Sequence, residues 1–257
     1  MEDTHMIDIA KDIAPEFING FSCKEVLQNT HKLVRPYRCT LQAGKAIAPE
    51  LRADIMQFYC FIDGTGFITC EDRAFNIREL SFFIPDFANQ AYTIHASREA
   101  DLEFVRFDIG MLPSDWLAFE DTHYILPWFK PISSCEEYTQ TCKGPHTKSY
   151  MVLNGRTMAR ILCGTCHSIG EGTKEKGHPA VDQWNVTLPG ADFTLYVENE
   201  EVHHGPLEVS YVKAGLDHGL IADAGKTVSD IWFEHYVEER EIDVQSYDEN
   251  GAKYGHQ

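Results

Sequence analysis

The chain has 257 residues, enough for one large domain or two small ones, and its 43% apolar and 24% charged residues are ordinary for a globular protein. Its formal net charge of −18 would repel phosphate groups and no basic patch offsets it, so we expect neither nucleic acid nor an anionic membrane surface as a partner. No apolar run reaches the roughly 18 residues of a membrane span, and the acidic start Met1, Glu2, Asp3 is unlike a signal peptide. A cytoplasmic protein without membrane segments is therefore expected.

In chain order, residues 1–35 form an N-terminal extension with an amphipathic helix predicted near Ser22 to His31, where Ser22 and Glu25 match a capping box. Residues 36–112 form a first β-rich block, because short runs of Val, Ile, Phe, Tyr and Thr are broken by Gly, Asn, Asp and Pro. The strands predicted in this block are Gln57 to Ile62, Gly66 to Cys70, Ser81 to Ile84 and Leu102 to Ile109.

A stretch rich in proline and aromatic residues, 113–154, predicts a linker with short helices. A second β-rich block, residues 155–237, follows this linker. Its predicted strands are Met158 to Leu162, Trp184 to Leu188, Phe193 to Val197, Leu207 to Val212 and Ser229 to Tyr236. The charged tail, residues 238–257, is expected to be partly disordered.

The eight cysteines are predicted to be reduced thiols, because a chain of this length does not need disulfides to hold its core. The segment Cys163-Gly-Thr-Cys166-His167 matches the signature for covalent haem attachment, but its flanks predict a strand. A zinc site would need a second closely spaced pair, whereas Cys135 and Cys142 are six residues apart. Structural thiols are the resulting expectation.

An internal repeat relates the two β-rich blocks. Five positions recur at a distance of 126: Gly44, Glu50, Arg52, Gln57 and Gly64 of the first block correspond to Gly170, Lys176, His178, Gln183 and Gly190 of the second. Residues 84–90 pair with 212–218 at a distance of 128, which a two-residue difference in a loop explains. Two copies of one all-β unit are therefore predicted.

The repeated skeleton resembles the cupin superfamily. The first cupin motif runs Gly, five residues, His-x-His, three or four residues, Glu, six residues, Gly, and the second runs Gly, five residues, Pro-x-Gly, two residues, His. The second block matches at Gly170, His178, Gly190, Gly215 and His218, and departs at Lys176, Gln183 and Lys213. The first block keeps Gly44, Gly64 and Pro85 but has Glu50, Arg52, Gln57 and Gln90 at the ligand positions.

The resemblance implies two tandem cupin-type barrels, each a double-stranded β-helix, with short helices in the N-terminal and linker segments. It also implies that His178 and His218 converge inside the second barrel. Two imidazoles and an oxygen ligand suit a divalent Mn, Fe, Zn, Ni or Co ion. Gln183 supplies the oxygen if the strand register follows the motif, and Asp182 is the alternative because it is anionic. With Arg52 at a ligand position, the first barrel is expected to be structural or to form a metal-free pocket for an anion.

Lys176 is the candidate catalytic residue, either neutralising a substrate carboxylate or phosphate or acting as an acid or base. The predicted function is a metal-dependent isomerase, lyase or hydrolase acting on a small polar or anionic metabolite, such as a sugar, a uronate or a keto acid. An iron-dependent dioxygenase and a metal-free binding protein are the alternatives. A homodimer is implied by the resemblance alone.

Overall fold

The computed structural model of the protein describes residues 6–11, 13–122, 124–154, 158 and 160–237. Antiparallel strands dominate this part of the chain, together with one α-helix and one 3-10 turn. The predicted tail, residues 238–257, lies outside the described residues. Within them, no helix is both long enough and apolar enough to cross a lipid bilayer.

The first ten strands, in chain order, are β1 (Ile7–Ala10), β2 (Phe21–Glu25), β3 (Val34–Leu41), β4 (Ala46–Ile47), β5 (Ile55–Asp63), β6 (Gly66–Cys70), β7 (Ala74–Ile77), β8 (Ser81–Ile84), β9 (Tyr92–Ala96) and β10 (Leu102–Gly110). The middle of the chain contains α1 (Pro113–Thr122), β11 (Trp128–Pro131), the 3-10 turn Ile132–Ser134, β12 (Glu136–Tyr138) and β13 (Lys148–Leu153). The remaining strands are β14 (Ile161–Ile169), β15 (Gly172–Glu175), β16 (Val181–Thr187), β17 (Phe193–Val197), β18 (Glu200–His204), β19 (Val209–Val212), β20 (His218–Ile221) and β21 (Thr227–Tyr236).

The described residues divide into two compact units, of which the first comprises residues 12–111 and 125–135. It contains two sheets, ordered β11-β8-β5-β10-β3-β2 and β4-β9-β6-β7. Side chains from both sheets share one buried core, for example Phe61 and Phe104 from the larger sheet and Ile68 from the smaller. Burial of this shared apolar layer holds the two sheets together as a barrel.

The second unit comprises the described residues within 6–11, 112–124 and 136–237. Its sheets are ordered β1-β19-β16-β21-β14-β13-β12 and β15-β20-β17-β18. Val212 and Val228 from the larger sheet pack with Leu195 and Leu220 from the smaller. Inside each barrel, four strands of the larger sheet and all four of the smaller have the same order, so the predicted duplication of an all-β unit is confirmed.

The glycines of the repeat lie at turns that require a left-handed backbone. Gly64 and Gly190 have φ angles of +81° and +83°, a region that costs other residues strain. A Cβ atom on Gly64 would in addition lie 2.1 Å from the carbonyl oxygen of Asp101. The repeated glycines therefore mark equivalent turns of the two barrels.

The helix predicted near Ser22 to His31 is wrong. Residues 21–25 form strand β2, which pairs with β3 in the larger sheet of the first unit. The Ser22 hydroxyl accepts a hydrogen bond from the backbone N–H of Glu16, instead of capping a helix. The local capping pattern was outweighed by pairing with a strand that lies farther along the chain.

The stretch predicted as a linker with short helices contains α1, and it also supplies strands to both units. β11 pairs with β8, whereas β13 pairs with β14. At the N-terminus, β1 pairs with β19 of the second unit. The segments around the repeat thus extend the larger sheets of the two barrels.

Candidate functional site

The inner face of the second barrel is polar. Strand β16 is buried along its whole length, and its Gln183 lies opposite both Val212 of the core and Glu234. Since opposite residues of antiparallel strands share a face, Gln183 faces the barrel interior together with Asn185 and Thr187. This interior is polar enough to bind a polar molecule or an ion.

Three side chains that can ligate a metal come together at one end of this interior. Glu175 and His218 are directly opposite each other on β15 and β20, and His178 follows three residues after Glu175. The Oε2 atom of Glu175 lies 3.4 Å from Nε2 of His178 and 3.8 Å from Nε2 of His218. The centroids of the two imidazole rings are 6.0 Å apart. The structure therefore brings His178 and His218 together and adds a carboxylate that the sequence analysis did not select.

The imidazole of His218 is held in one tautomer. Its Nδ1 atom lies 3.0 Å from the backbone carbonyl of Leu216, and because a carbonyl only accepts, Nδ1 carries the hydrogen. Nε2 then presents a lone pair, and this buried atom has no hydrogen-bond partner among the described residues. A ring fixed in this way by a backbone carbonyl is the arrangement found at metal-ligating histidines.

Glu175 is ionised. Burial opposes the charge, but the hydrogen bond from His178 and the electrostatic effects of His218 and Lys143 outweigh it and lower the pKa of Glu175. Its side chain is only 17% exposed, so the carboxylate carries its charge in a largely dry environment. An ionised, buried carboxylate beside two imidazoles attracts a cation.

Lys143 brings one ammonium group into the same interior. It donates hydrogen bonds to the hydroxyl oxygens of Tyr138 at 2.8 Å and Ser149 at 3.0 Å, and it lies 3.3 Å from Sγ of Cys166. Burial lowers the pKa of Lys143, but Cys166 and Glu175 outweigh that effect and raise it, so the group remains charged. Lys143 is thus a buried positive charge that acts electrostatically on Glu175.

Two further carboxyl groups lie on the inner face of β21. Burial raises the pKa of Asp230 to about 7, and burial likewise raises the pKa of Glu234 to about 7, with Glu175 adding to both shifts. Both carboxylate oxygens of Asp230 are buried and lack a hydrogen-bond partner in the described part of the chain. Groups of this kind exchange protons near neutral pH.

The other predicted residues have different environments. Asp182 is on the face of β16 opposite to Gln183 and accepts hydrogen bonds from the Tyr211 hydroxyl and the Ala214 N–H, both at 2.9 Å. Gln183 faces inward and donates to Oδ1 of Asn185 at 2.9 Å. Lys176 is exposed, just after the end of β15. The inward orientation of Gln183 agrees with the register of the cupin motif.

Sequence reasoning missed Glu175, Lys143, Asp230 and Glu234. Glu175 had one usable signal in the sequence: it lies two residues after Thr173, so strand alternation places both side chains on the same face of β15. In the structure both side chains are largely buried. Lys143 had none, because it lies in the stretch predicted as a linker.

The donors of this cluster suit a divalent cation. Among the described residues, no group of three or more His, Cys, Asp or Glu side chains is placed so that it could hold a metal ion without some adjustment. Even so, Oε2 of Glu175 lies 3.4 Å from Nε2 of His178 and 3.8 Å from Nε2 of His218. One ion with two bonds of about 2.1 Å can bridge atoms that are up to about 4.2 Å apart, so both separations are short enough. The buried Nε2 of His218 and the unpartnered carboxylate of Asp230 also leave capacity for positive charge. On this test, Glu175, His178 and His218 fit a metal ion.

The fold is that of two tandem cupin-type barrels, and solved structures share it. A protein of Pseudomonas aeruginosa named for induction by glyoxylate superposes with a TM-score of 0.75 at 7% identity, over 93% of this chain and 91% of that chain. Oxalate decarboxylase of Lactobacillus farciminis, solved with formate, gives 0.67 at 12% identity, over 92% and 87%. A variant of Bacillus subtilis oxalate decarboxylase gives 0.66 at 13% identity, over 93% and 78%. At these identities the likeness shows the fold alone.

No protein-family profile and no curated protein sequence match the chain.

Proposed function

We propose that the second barrel binds a divalent metal ion through His178, His218 and Glu175 and acts on a small organic carboxylate. The observation that carries this proposal is the convergence of one ionised carboxylate and two imidazoles inside a polar barrel. Glu175 replaces Gln183 and Asp182 as the proposed oxygen ligand, because it lies within 4 Å of both imidazoles.

The chain's own residues supply the rest of the chemistry. Lys143 provides a buried positive charge that attracts an anionic substrate into the barrel. Asp230 and Glu234 have pKa values of about 7, so either can hold or release a proton in the working pH range. When bound, the metal would act as a Lewis acid toward a carboxylate or carbonyl oxygen.

The solved structures with this fold support the substrate class. Two of them are named as oxalate decarboxylases, one with formate bound, and a third is named for glyoxylate. These compounds are carboxylates of one or two carbons. Fold likeness is an analogy, so we extend only the class, a small carboxylate or keto acid, to this chain.

An iron-dependent dioxygenase is the second candidate. The observation that favours it is Glu175 itself, because two imidazoles and one carboxylate are the ligands that non-haem iron oxygenases use. The two candidates share the metal site and differ in their use of oxygen. Location in the cytoplasm and assembly as a homodimer remain predictions.

Metal content tests the site directly. Untagged protein incubated with Mn, Fe or Zn and then desalted should retain close to one ion per chain by elemental analysis. His178→Ala, His218→Ala and Glu175→Gln should each lose it. The control is His203→Ala, because His203 is 63% exposed and bonds Asp192 away from the site. Retention of metal by all three site variants, or no binding by the wild type, would contradict the proposal.

Turnover tests the reaction. The metal-loaded protein is incubated with oxalate and with glyoxylate, and carbon dioxide release and oxygen consumption are measured together. Release without net oxygen consumption supports a lyase, and stoichiometric oxygen consumption supports the dioxygenase. Metal binding without turnover of either compound would exclude this substrate pair and leave the metal site standing.

A further inference from the structure

A cavity of about 360 Å³ opens into the first barrel. Three of its lining residues, Glu50, Arg52 and Gln57, occupy the positions at which cupin motifs have ligands. The cavity lies at the lower end of the usual size range for small-molecule sites. It is separate from the cluster around Glu175, which belongs to the other barrel.

One wall of this cavity is apolar. It is formed by side chains of β2, β10, β4 and the segment after β4, among them Phe21, Phe104, Ile47 and Pro49. The rings of Phe21 and Phe104 stack with their centroids 6.2 Å apart. An inorganic anion would leave this wall unused, so the wall favours an organic molecule.

The cavity is also lined by a partly buried guanidinium group, that of Arg106, which lies two residues after Phe104 on β10. One of its faces lies over the ring of Tyr37, with the Cζ atom 4.4 Å from the ring centroid. Nη2 donates to Asp108 at 3.1 Å, and Nε lies 2.8 Å from the same carboxylate without the alignment of a hydrogen bond. Nη1 has no partner in the described part of the chain, so part of the fork remains available to a ligand.

Arg52 adds a second guanidinium group to the lining of the cavity. Its side chain is 39% exposed, and its nearest carboxylate is the exposed Asp54, at 3.5 Å. Such a loose surface pair is weak and easily exchanged. Arg52 also acts electrostatically on Asp108, the carboxylate to which Arg106 is bonded.

The acidic residues of the cavity do not cancel these two positive groups. Asp108 is engaged by Arg106, and the amide of Gln57 hydrogen-bonds to it as well. Glu50 is exposed to solvent, where its charge is screened. Gln57 in turn accepts from the Tyr92 hydroxyl at 2.9 Å, which fixes its side chain. Two arginines line the cavity, and Arg52 occupies a motif ligand position, so the cavity disfavours a cation.

We propose that the first barrel binds a small organic carboxylate without a metal, with the carboxylate between Arg52 and Arg106 and the apolar body against Phe21 and Phe104. Two guanidinium forks match a carboxylate in both charge and geometry, and the aromatic wall matches the remainder of such a molecule. The site would sense or store a metabolite, or position it, independently of chemistry in the second barrel.

The test is calorimetric titration of the full chain with benzoate, which has a carboxylate and a small apolar ring, and with benzamide, its neutral analogue. We expect saturable binding of one benzoate per chain with a Kd of about 1 mM or below. Benzamide should bind at least about tenfold more weakly. Equal affinity for the two probes, or no saturable binding of benzoate, would overturn the assignment.

Variants locate the site. Arg52→Gln should weaken benzoate binding by about tenfold, and Arg106→Lys, which keeps the charge but loses the fork, by a similar factor. The matched control is Arg73→Gln, since Arg73 is exposed and pairs only with Asp72; its affinity should equal that of the wild type. His178→Ala should also leave benzoate binding unchanged, which separates this proposal from that for the second barrel. Loss of affinity in His178→Ala but not in Arg52→Gln would place benzoate in the other barrel and overturn the proposal.

Discussion

The two barrels share one strand order and differ in the side chains that face inward. Phe104, Arg106 and Asp108 of β10 occupy the positions of Asp230, Trp232 and Glu234 of β21. On the neighbouring strand, Tyr59 and Phe61 are replaced by Asn185 and Thr187. The first interior is aromatic with one ion pair, and the second is polar with several carboxyl groups. The order of the strands therefore does not decide the chemistry, which depends on the inward residues.

The largest expected effect concerns the ion pair of Arg106 and Asp108, whose equivalent positions in the second barrel are Trp232 and Glu234. Arg106→Met leaves the carboxylate of Asp108 buried without its guanidinium, and should lower the free energy of unfolding by roughly 3 kcal/mol. Adding Asp108→Asn should recover most of that loss. Urea denaturation measures both variants.

Glu234→Gln is the matched variant in the second barrel, where Trp232 takes the place of Arg106 on the strand that carries the equivalent of Asp108. It should change the stability far less than Arg106→Met does. Equal losses in the two variants would mean that the ion pair does not distinguish the barrels.

A smaller effect is expected for Asp230, which stands where the first barrel has Phe104. Because burial raises the pKa of Asp230 to about 7, the folded state binds a proton that the unfolded state releases near pH 4. The stability from this group is present below about pH 4 and is lost as the pH rises to about 7. Asp230→Asn should flatten this slope and raise the stability at pH 8 by roughly 1 to 3 kcal/mol. The exposed Asp223→Asn is the control, and thermal denaturation at pH 5 and pH 8 is the measurement.

The smallest expected effect is that of Lys176. Its side chain is exposed, so Lys176→Met should change the free energy of unfolding by less than about 0.5 kcal/mol and leave the metal content unchanged. Lys143→Met is the buried comparison and should cost more, because Tyr138 and Ser149 lose their donor. A fall in turnover of Lys176→Met with unchanged stability would support the predicted catalytic role of Lys176.

The repeat made the fold predictable. Gly64 and Gly190 occupy turns with positive φ, a backbone conformation that favours glycine. Their equal spacing in the two blocks therefore indicated that the two barrels turn at equivalent positions. The register of the motif also favoured Gln183 as the inward residue, whereas strand alternation alone left Gln183 and Asp182 open. The local capping pattern gave a wrong helix prediction for residues 21–25. These residues form a strand, because pairing with β3 determines their conformation.

The candidate site was predicted in part. His178 and His218 lie in motif positions, and the structure brings them together. Glu175 is one residue away from the motif position taken by Lys176, so the motif directed attention to the wrong neighbour. Lys143 enters the barrel from a segment outside the repeat, and such a contact depends on the path of the chain in space, which spacing alone does not encode.

The pairing of Gly164 with Trp232 has a consequence for altering the second barrel. A Cβ atom at position 164 would lie 2.2 Å from the indole ring of Trp232, so the ring occupies the room that a side chain at 164 would need. In the first barrel the equivalent pair is Tyr37 on β3 and Arg106 on β10. There the aromatic ring lies on the strand that corresponds to the one carrying Gly164. Replacing Trp232 by leucine or alanine would therefore enlarge the interior of the second barrel. Such a variant should admit bulkier molecules while Glu175, His178 and His218 stay unchanged.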